Sequence, residues 1–268
     1  MKGRVLIIAG SDSGGGAGIQ ADIKSVTALG GFASTAITAL TAQNTEGVFG
    51  VSTVAIPFIR QQMQVVLEDI GADTLKTGML HNAMVIRAVC EVADSHAPGI
   101  PIVVDPVMMA KGGECLLGSE AVSTLREELM PRAFVVTPNI PEAESLLDRS
   151  IVSVDDMKSA ADALMKFGPN AVLVKGGHLH GNTLSDVLLD GDGFHLFEVE
   201  RVDTRHTHGT GCTLASSIAA GLAQELSLPA AVRRAQAYVV AAIKSAPGFG
   251  RGYGPIDHGH TVNSFGVD

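Results

Sequence analysis

A short turn carries the residue types that could bind an anion. Gly209 and Gly211 bracket Thr210, and an apolar helical pattern over residues 214–226 follows at once. Unpaired backbone N–H groups and the helix dipole make such a helix start partly positive, which suits phosphate. Cys212 lies in the predicted first turn, where this field lowers the pKa of a thiol. Two interpretations stay open at this point: an anion-binding turn, or a tight turn before a helix that buries a small cysteine.

Four further polar or glycine-rich segments follow predicted strands. They are residues 10–18, Asp105, residues 137–139 and residues 175–178. Ligands of an open parallel sheet bind beyond the carboxyl ends of its strands, so we expect these segments to converge with the turn on one crevice. The first loop fits neither the dinucleotide-binding fingerprint nor the P-loop pattern, and no Gly-Lys pair occurs in the chain. The phosphate site is therefore expected at residues 209–212.

Short apolar runs alternate with amphipathic segments along the chain. Strands are predicted at residues 5–9, 33–40, 48–56, 74–77, 102–105, 134–137, 171–175, 185–189 and 194–199, the last two as a hairpin. Helices are predicted at residues 19–29, 57–67, 83–93, 120–129, 155–167, 213–226 and 229–245. This alternation predicts an α/β fold with a mostly parallel sheet and helices on both faces. No linker or repeat interrupts it, so one domain over residues 1–268 is expected.

The composition argues against several classes of protein. The net charge is −9 and no basic cluster occurs, which disfavours a nucleic-acid or anionic-membrane surface. The apolar run at residues 5–9 is too short for a signal peptide or a membrane span. Cys90, Cys115 and Cys212 are far apart and odd in number, which indicates a reducing compartment. We expect a soluble cytoplasmic protein that binds neither nucleic acid nor membrane.

Six motifs stand out along the chain. In chain order they are AGSDSGGGAGIQAD (9–22), ITALTAQN (37–44), DPVM (105–108), TPNIPE (137–142), VKGGH (174–178) and THGTGCT (207–213). Together they resemble those of the hydroxymethylpyrimidine/phosphomethylpyrimidine kinase family of the ribokinase-like superfamily. The resemblance runs from about residue 5 to residue 258, and Cys212 stands where most sugar kinases of the superfamily carry aspartate. His206 departs from a common asparagine, and Gly112 from a usual serine. The resemblance implies a ribokinase-like three-layer sandwich.

The resemblance also implies a reaction. The family transfers the γ-phosphoryl group of ATP to the hydroxymethyl group of 4-amino-5-hydroxymethyl-2-methylpyrimidine, and phosphorylates the monophosphate again, in thiamine biosynthesis. By resemblance, the amides of the turn hold the transferring group, and Lys175 neutralises phosphate charge. Asn139, Lys175 and Thr207 would contact the nucleotide, while Glu142 and Asp105 would hold Mg²⁺, an ion that prefers hard oxygen ligands. A homodimer through the exposed strand at residues 48–56 is the implied assembly.

Substrate contacts and the proton acceptor are implied in the same way. The predicted substrate-binding residues are Gln43, Asp22, Gly10, Ala17, Met79 and Val107. The carboxamide of Gln43 offers one donor and one acceptor, which matches an aminopyrimidine edge. Asp22 is expected near the hydroxymethyl end of the substrate. Cys212 occupies the general-base position, but neighbouring phosphates oppose its ionisation and a loose transition state needs little early proton removal. A base role and a positioning role both stay open.

Three alternative functions are weighed against this one. Pyridoxal kinase is a relative within the same superfamily. Three His-x-His pairs, at residues 178/180, 206/208 and 258/260, would suit a metal-dependent hydrolase. Two of these pairs lie in glycine-rich loops, however, and no aspartate follows in hydrolase spacing. The third alternative is a non-catalytic binding protein, against which the intact turn, Lys175 and Glu142 argue.

Overall fold

Nine strands form one sheet in the order β3-β2-β1-β4-β5-β6-β7-β8-β9. The computed structural model describes residues 1–109, 113, 116–179 and 181–262 of the chain. The strands are β1 (Arg4–Asp12), β2 (Phe32–Asn44), β3 (Gly47–Thr53), β4 (Thr74–Thr77), β5 (Ile102–Val104), β6 (Val135–Val136), β7 (Val172–Val174), β8 (Thr183–Asp190) and β9 (Gly193–Glu200). Strands β2, β1 and β4 to β7 pair in parallel, and β3, β8 and β9 pair antiparallel. The predicted mostly parallel sheet and its hairpin are confirmed.

Helices cover both faces of this sheet. They are α1 (Gly18–Ala28), α2 (Ile56–Asp69), α3 (Ala83–His96), α4 (Ser119–Thr124), α5 (Ile140–Leu147), α6 (Val154–Met165), α7 (Thr210–Ala223) and α8 (Leu228–Lys244). Successive side chains of a strand point to opposite faces. Leu6 and Ile8 of β1 therefore pack with α2 to α6, whereas Val5 and Ile7 pack with α1, α7 and α8. Each such side chain contributes about 1.5–3 kcal/mol by burial, and the predicted three-layer α/β fold is confirmed.

Two strands extend beyond their predicted ends into glycine-rich or polar sequence. Strand β1 continues to Asp12 because Ser11 and Asp12 pair with Leu40 and Thr41 across a bulge. Strand β2 continues to Asn44 because β3 pairs with it there. Gln43 accordingly lies within a strand, whereas the sequence placed it in a loop. Sheet pairing outweighs the local preference of these residues for a turn.

The region between β5 and α6 differs most from the prediction. The predicted helix at residues 120–129 is divided, because α4 ends at Thr124 and a π-helical turn over Leu125–Leu129 and a 3₁₀ turn over Met130–Arg132 follow it. Pro131 has no N–H to donate, so a regular helix cannot continue through it. Helix α5 was not predicted. Its sequence signals are a capping box between Asn139 and Glu142 and a proline in its first turn.

Three features of the sequence analysis, Gly112, Cys115 and His180, lie outside the described residues. Cys90 and Cys212 are free thiols. Among the helices that the structure describes, none has the length and apolar character needed to cross a membrane.

Candidate active site

A cleft with a volume of about 920 Å³ opens along the carboxyl edge of the parallel strands. This edge is where ligands of open α/β sheets bind. The cleft is lined by every predicted site residue except Asp22: Gly10, Ala17, Gln43, Met79, Asp105, Val107, Asn139, Glu142, Lys175, Thr207, Gly209, Thr210, Gly211 and Cys212. The five segments that the sequence analysis expected to converge therefore meet in one place.

The turn before α7 has the geometry of an anion-binding site. Gly209 caps the helix at φ 83°, a left-handed conformation, and a Cβ there would overlap the carbonyl oxygen of Gly16. The amide of Thr210 donates to the carbonyl of Thr207 at 3.4 Å. Within the described part of the chain, the amides of Gly211 and Cys212 have no hydrogen-bond acceptor. Two free donors at the positive end of a 14-residue helix can bind an anion.

Lys175 brings a buried cation to this turn. Its Nζ lies 2.9 Å from Asp105 Oδ1 and 3.9 Å from Glu142 Oε2, and a Cβ on Gly211 would lie only 3.3 Å from it. Burial alone would lower the pKa of Lys175, but the two carboxylates raise it above its ordinary value. Burial raises the pKa of Glu142 to about 7, with Lys175 opposing and Asp105 reinforcing the rise. The ammonium is therefore charged at neutral pH and lies beside the free amides.

Among the residues that the structure describes, Asp105 and Glu142 each keep one carboxylate oxygen without a hydrogen-bond donor. Asp105 Oδ1 accepts from Lys175 and Thr137, and Glu142 Oε2 accepts from the amide of Asn139. In the described residues, the other oxygen of each carboxylate accepts no hydrogen bond. The same residues contain no group of three or more His, Cys, Asp or Glu side chains that could hold a metal ion. Two hard oxygens at the cleft suit a cation that completes its coordination with phosphate and water.

The thiol of Cys212 is not activated in the way that its position suggested. Burial of the sulfur raises its pKa to about 12, the ammonium of Lys76 lowers the pKa, and the carboxylates of Asp22 and Asp105 raise it further. The N–H of Gly18 donates to the sulfur and also favours the thiolate. The expected lowering of the pKa was wrong, because the effect of burial outweighs those of the Lys76 ammonium and the Gly18 N–H.

Asp22 is buried close to Cys212 and is not among the described residues that line the cleft. It is fully buried, and Lys76 Nζ lies 2.9 Å from both of its carboxylate oxygens. Ser216 donates to Asp22 Oδ1 at 2.6 Å. Burial raises the pKa of Asp22 despite the opposing effects of Lys76 and Ser216. Asp22 thus stabilises Lys76, a cleft-lining residue that sequence reasoning missed because nothing local marks it.

The glycine-rich loop after β1 folds over the side chain of Asp12. Its Oδ1 accepts from the amide of Gly14 at 2.8 Å, and its Oδ2 accepts from the amides of Gly16 at 3.1 Å and Ala17 at 2.8 Å. His208 Nε2 lies 2.8 Å from the same Oδ2. Burial favours the neutral acid, but these hydrogen bonds hold the pKa of Asp12 below its ordinary value. Sequence reasoning quoted Asp12 and His208 within two of the family motifs but gave Asp12 no role, and it weighed His208 otherwise as half of a metal-binding pair.

The cleft has an apolar end beside α8. Val199, Val202, Val239, Val240 and Ile243 line it. Below them, Asp186 Oδ1 accepts from the amide of Gly176 at 2.9 Å, and Gln236 Nε2 donates to Asp186 Oδ2 at 3.2 Å. A flat apolar group could occupy this end while a charged group reaches the turn of α7.

The similarity to known proteins extends over most of the chain. The family model described as phosphomethylpyrimidine kinase matches residues 12–257. The thiamine biosynthesis bifunctional protein ThiED of Geobacter sulfurreducens is 50% identical over 257 residues, which are 96% of this chain and 52% of that protein. The hydroxymethylpyrimidine/phosphomethylpyrimidine kinase of Bacillus subtilis is 47% identical over 256 residues, with 95% of this chain and 94% of that protein covered.

A solved structure agrees with the sequence comparisons on the fold. An ADP complex of the pyridoxal kinase of Bacillus subtilis superimposes with a TM-score of 0.90 at 35% identity, covering 98% of this chain and 100% of that one. The chain spans about half of the bifunctional relative and nearly all of the Bacillus subtilis relatives. The match of the family model and the near-complete overlap lead to one conclusion: the chain belongs to the phosphomethylpyrimidine kinase family.

Proposed function

We propose that the protein transfers the γ-phosphoryl group of ATP to 4-amino-5-hydroxymethyl-2-methylpyrimidine and then to its monophosphate, giving the diphosphate used in thiamine biosynthesis. The observation that carries the proposal is the turn of α7, where the amides of Gly211 and Cys212 are free within the described residues and a Cβ on Gly211 would lie 3.3 Å from the ammonium of Lys175. This arrangement suits a transferring phosphoryl group. A relative in the same family is named hydroxymethylpyrimidine/phosphomethylpyrimidine kinase.

The chain's own groups account for most of the expected catalysis. Phosphoryl transfer has a loose transition state, so positioning and charge stabilisation dominate. The free amides of Gly211 and Cys212 would bind the transferring oxygens, with each well-placed donor contributing about 3 kcal/mol. Gly209 and Thr210 would shape the turn that presents them. Lys175 would exchange its contact with Asp105 for the phosphates of the nucleotide. Asn139 and Thr207 line the cleft together with the turn and the apolar end. The apolar end suits the base of the nucleotide.

Mg²⁺ is proposed to accompany ATP. The unpartnered oxygens of Asp105 and Glu142 fit it, since Mg²⁺ is commonly bound through one or two carboxylates together with phosphates and water. The ion would neutralise part of the phosphate charge. Asp105 and Glu142 would hold it once Lys175 has turned towards the nucleotide.

The opposite side of the cleft supports recognition of the pyrimidine. Gln43, on β2, presents a carboxamide to the cleft, and Thr41 donates to its Oε1 at 3.2 Å. Gly10, Ala17, Met79 and Val107 are small or apolar groups that suit the faces of a planar ring. The amide of Gln43 can pair with the adjacent N–H and ring nitrogen of an aminopyrimidine.

We further propose that the protein forms a homodimer in the cytoplasm. Leu40, Phe49 and Val51 lie on β2 and β3 at one edge of the sheet and are 49%, 72% and 41% exposed. A second copy could cover this apolar edge. The free thiols of Cys90 and Cys212 are consistent with a reducing compartment.

Pyridoxal phosphorylation is the second candidate activity, favoured by the likeness to solved pyridoxal kinases. One kinetic panel separates the two. ADP release should be measured with the pyrimidine alcohol, its monophosphate and pyridoxal as acceptors, using Mg-ATP. We expect the highest kcat/KM with the pyrimidine compounds. Lys175→Met should abolish turnover, and Lys166→Met, which changes an exposed lysine, should not. No ADP release with the pyrimidine alcohol by folded protein would overturn the proposal, and dominance of pyridoxal would favour the second candidate.

A further inference from the structure

One buried pair of side chains joins the loop after β1 to the turn before α7. Asp12 Oδ2 and His208 Nε2 lie 2.8 Å apart, although the residues are separated by 196 positions in the sequence. Asp12 is 2% exposed and His208 is 7% exposed. A carboxylate can only accept, so Nε2 of His208 carries the proton. The contact is a charge-assisted hydrogen bond largely removed from water, which makes it stronger than a surface contact.

Asp12 and His208 each make further hydrogen bonds that fix the segment in which they lie. Asp12 accepts the amides of Gly14, Gly16 and Ala17, which gather the loop around its carboxylate. The amide of His208 donates to the carbonyl of Gly254 at 3.1 Å, which holds the turn from the other side. The ring of His208 lies where a Cβ on Gly16 would come within 2.5 Å of its Cδ2. The two segments therefore meet in backbone contact, and the pair sets their separation.

The joined segments contribute to opposite halves of the proposed reaction. Gly10 and Ala17 line the side of the cleft where the pyrimidine is proposed to bind. The turn that follows His208 provides the amides proposed for the transferring phosphoryl group. The N–H of Gly18, at the end of the loop, donates to the sulfur of Cys212 in the turn. A change in the spacing of the two segments would thus move the acceptor relative to the phosphoryl group.

We propose that Asp12 and His208 are a positioning pair that holds the acceptor-binding loop in register with the phosphate-binding turn. The inference rests on the proposed kinase function and assigns neither residue a role in bond making. Reacting atoms must be held at about 3–3.5 Å, and a displacement of about 1 Å can cost ~100-fold in rate. Loss of the pair should therefore lower kcat much more than it raises KM.

The kinetic test compares His208→Ala, His208→Gln, Asp12→Asn and the double variant Asp12→Asn/His208→Ala. We expect His208→Ala to lower kcat ~100-fold with nearly unchanged KM for ATP and the pyrimidine. His208→Gln, whose side-chain amide can replace the Nε2–H donor, should recover most of the rate. The double variant should be no slower than the slower single variant. His195→Ala is the matched control, because His195 and Asp190 form a similar pair, 3.1 Å apart, outside the cleft.

Hydrogen–deuterium exchange of the ligand-free protein tests the pair without reference to activity. Asp12→Asn should increase amide exchange at residues 209–213, and His208→Ala should increase it at residues 14–18, whereas His195→Ala should change neither. If His208→Ala does not fold, His208→Gln and Asp12→Asn provide the same comparison. Any of three results would overturn the inference: wild-type kcat in a folded variant, rate losses that multiply in the double variant, or increased exchange confined to the mutated segment. An inactive wild-type protein that still shows the cross-effects would overturn the kinase proposal alone.

Discussion

The thiol of Cys212 lies at the start of a helix and still has a pKa of about 12. The favourable N–H of Gly18 and the nearby ammonium of Lys76 do not offset the loss of solvent around the sulfur. Phosphates bound at the same turn would oppose ionisation further, because they are negative. The free protein therefore holds Cys212 as a neutral thiol at neutral pH. Since a loose transition state requires little early proton removal, we expect Cys212 to shape the turn and not to act as a base.

Replacement of Cys212 by serine tests this expectation. Cys212→Ser keeps the backbone amide and a small side chain, so kcat with the pyrimidine alcohol should stay within a few-fold of wild type. The pH–rate profiles of both proteins should coincide between pH 6 and pH 9. Cys90→Ser is the control, because Cys90 is a buried thiol on α3 whose pKa burial also raises to about 12. A ~100-fold loss of kcat, together with loss of an alkaline limb in the variant, would restore the base role.

The location of the site residues was more predictable than their chemical state. Lys175 and Asp105 follow apolar strands, and a strand end in a parallel sheet is a topological property that the sequence pattern carries. The ionisation of Cys212 depends instead on its burial and on the Lys76–Asp22 pair, whose members are 54 positions apart. The motif that contains Asp22 gives its proximity to the site but not the direction of its side chain. Pairings between residues so far apart in the chain leave no periodic pattern in the sequence.

Strands and helices followed the sequence pattern wherever burial is one-sided or complete. The hairpin of β8 and β9 was predictable because apolar alternation surrounds Gly191 and Gly193. The ends of β1 and β2 were not, because their last residues are held by sheet pairing and not by their own propensity. The broken helix before β6 escaped prediction for a related reason. Leu125 and Leu129 are buried four positions apart, a spacing that a regular helix shares, so the apolar pattern does not distinguish the π-helical turn from an α-helix.

The junction of β7, β8 and α8 contains a buried acid that should make stability depend on pH. Burial raises the pKa of Asp186 from 3.8 to about 6, although the amide of Gly176 and the side chain of Gln236 favour the charged form. The folded state therefore binds a proton more tightly than the unfolded state. The resulting stabilisation is complete below the unfolded pKa of 3.8 and is lost as the pH rises through about 6.

Asp186→Asn should remove this dependence. The free energy of unfolding of the variant minus that of wild type should increase between pH 4.5 and pH 7.5, by about 2 kcal/mol. Urea unfolding at several pH values across this window measures the difference. Asp192→Asn, in the exposed turn of the hairpin, is the matched control and should give a constant difference. A constant difference for Asp186→Asn as well would contradict the assignment.

Both edges of the nine-stranded sheet expose an aromatic side chain. Phe49 on β3 is 72% exposed, two positions from Val51, and Phe194 on β9 is 46% exposed at the opposite edge. An exposed apolar edge strand readily associates with another chain. The proposed homodimer uses the β3 edge, so the β9 edge provides an internal control.

Phe49→Asp should therefore dissociate the dimer, while Phe194→Asp should leave it intact. Burial of a charge at the centre of an apolar contact costs more than its loss at a free surface. Sedimentation velocity at micromolar concentration gives the mass of wild type and both variants. A monomeric wild type, or a dimer that survives Phe49→Asp, would rule out this interface. Dissociation by Phe194→Asp instead would assign the contact to the other edge.

Because the ribosome makes Asp12 long before His208, the contact between them can form only late in synthesis. Val5, Ile7 and Ala9 emerge first, but the apolar side chains that cover them, such as Leu214, Ile218 and Val232, come from the last third of the chain. At ~5–20 residues per second, the 196 positions between Asp12 and His208 correspond to roughly 10–40 seconds of synthesis. During that interval α1 is in place to cover part of this face, but the part that α7 and α8 cover stays open. Chains interrupted before α7 would expose this face, and they would reach neither a closed core nor an assembled cleft.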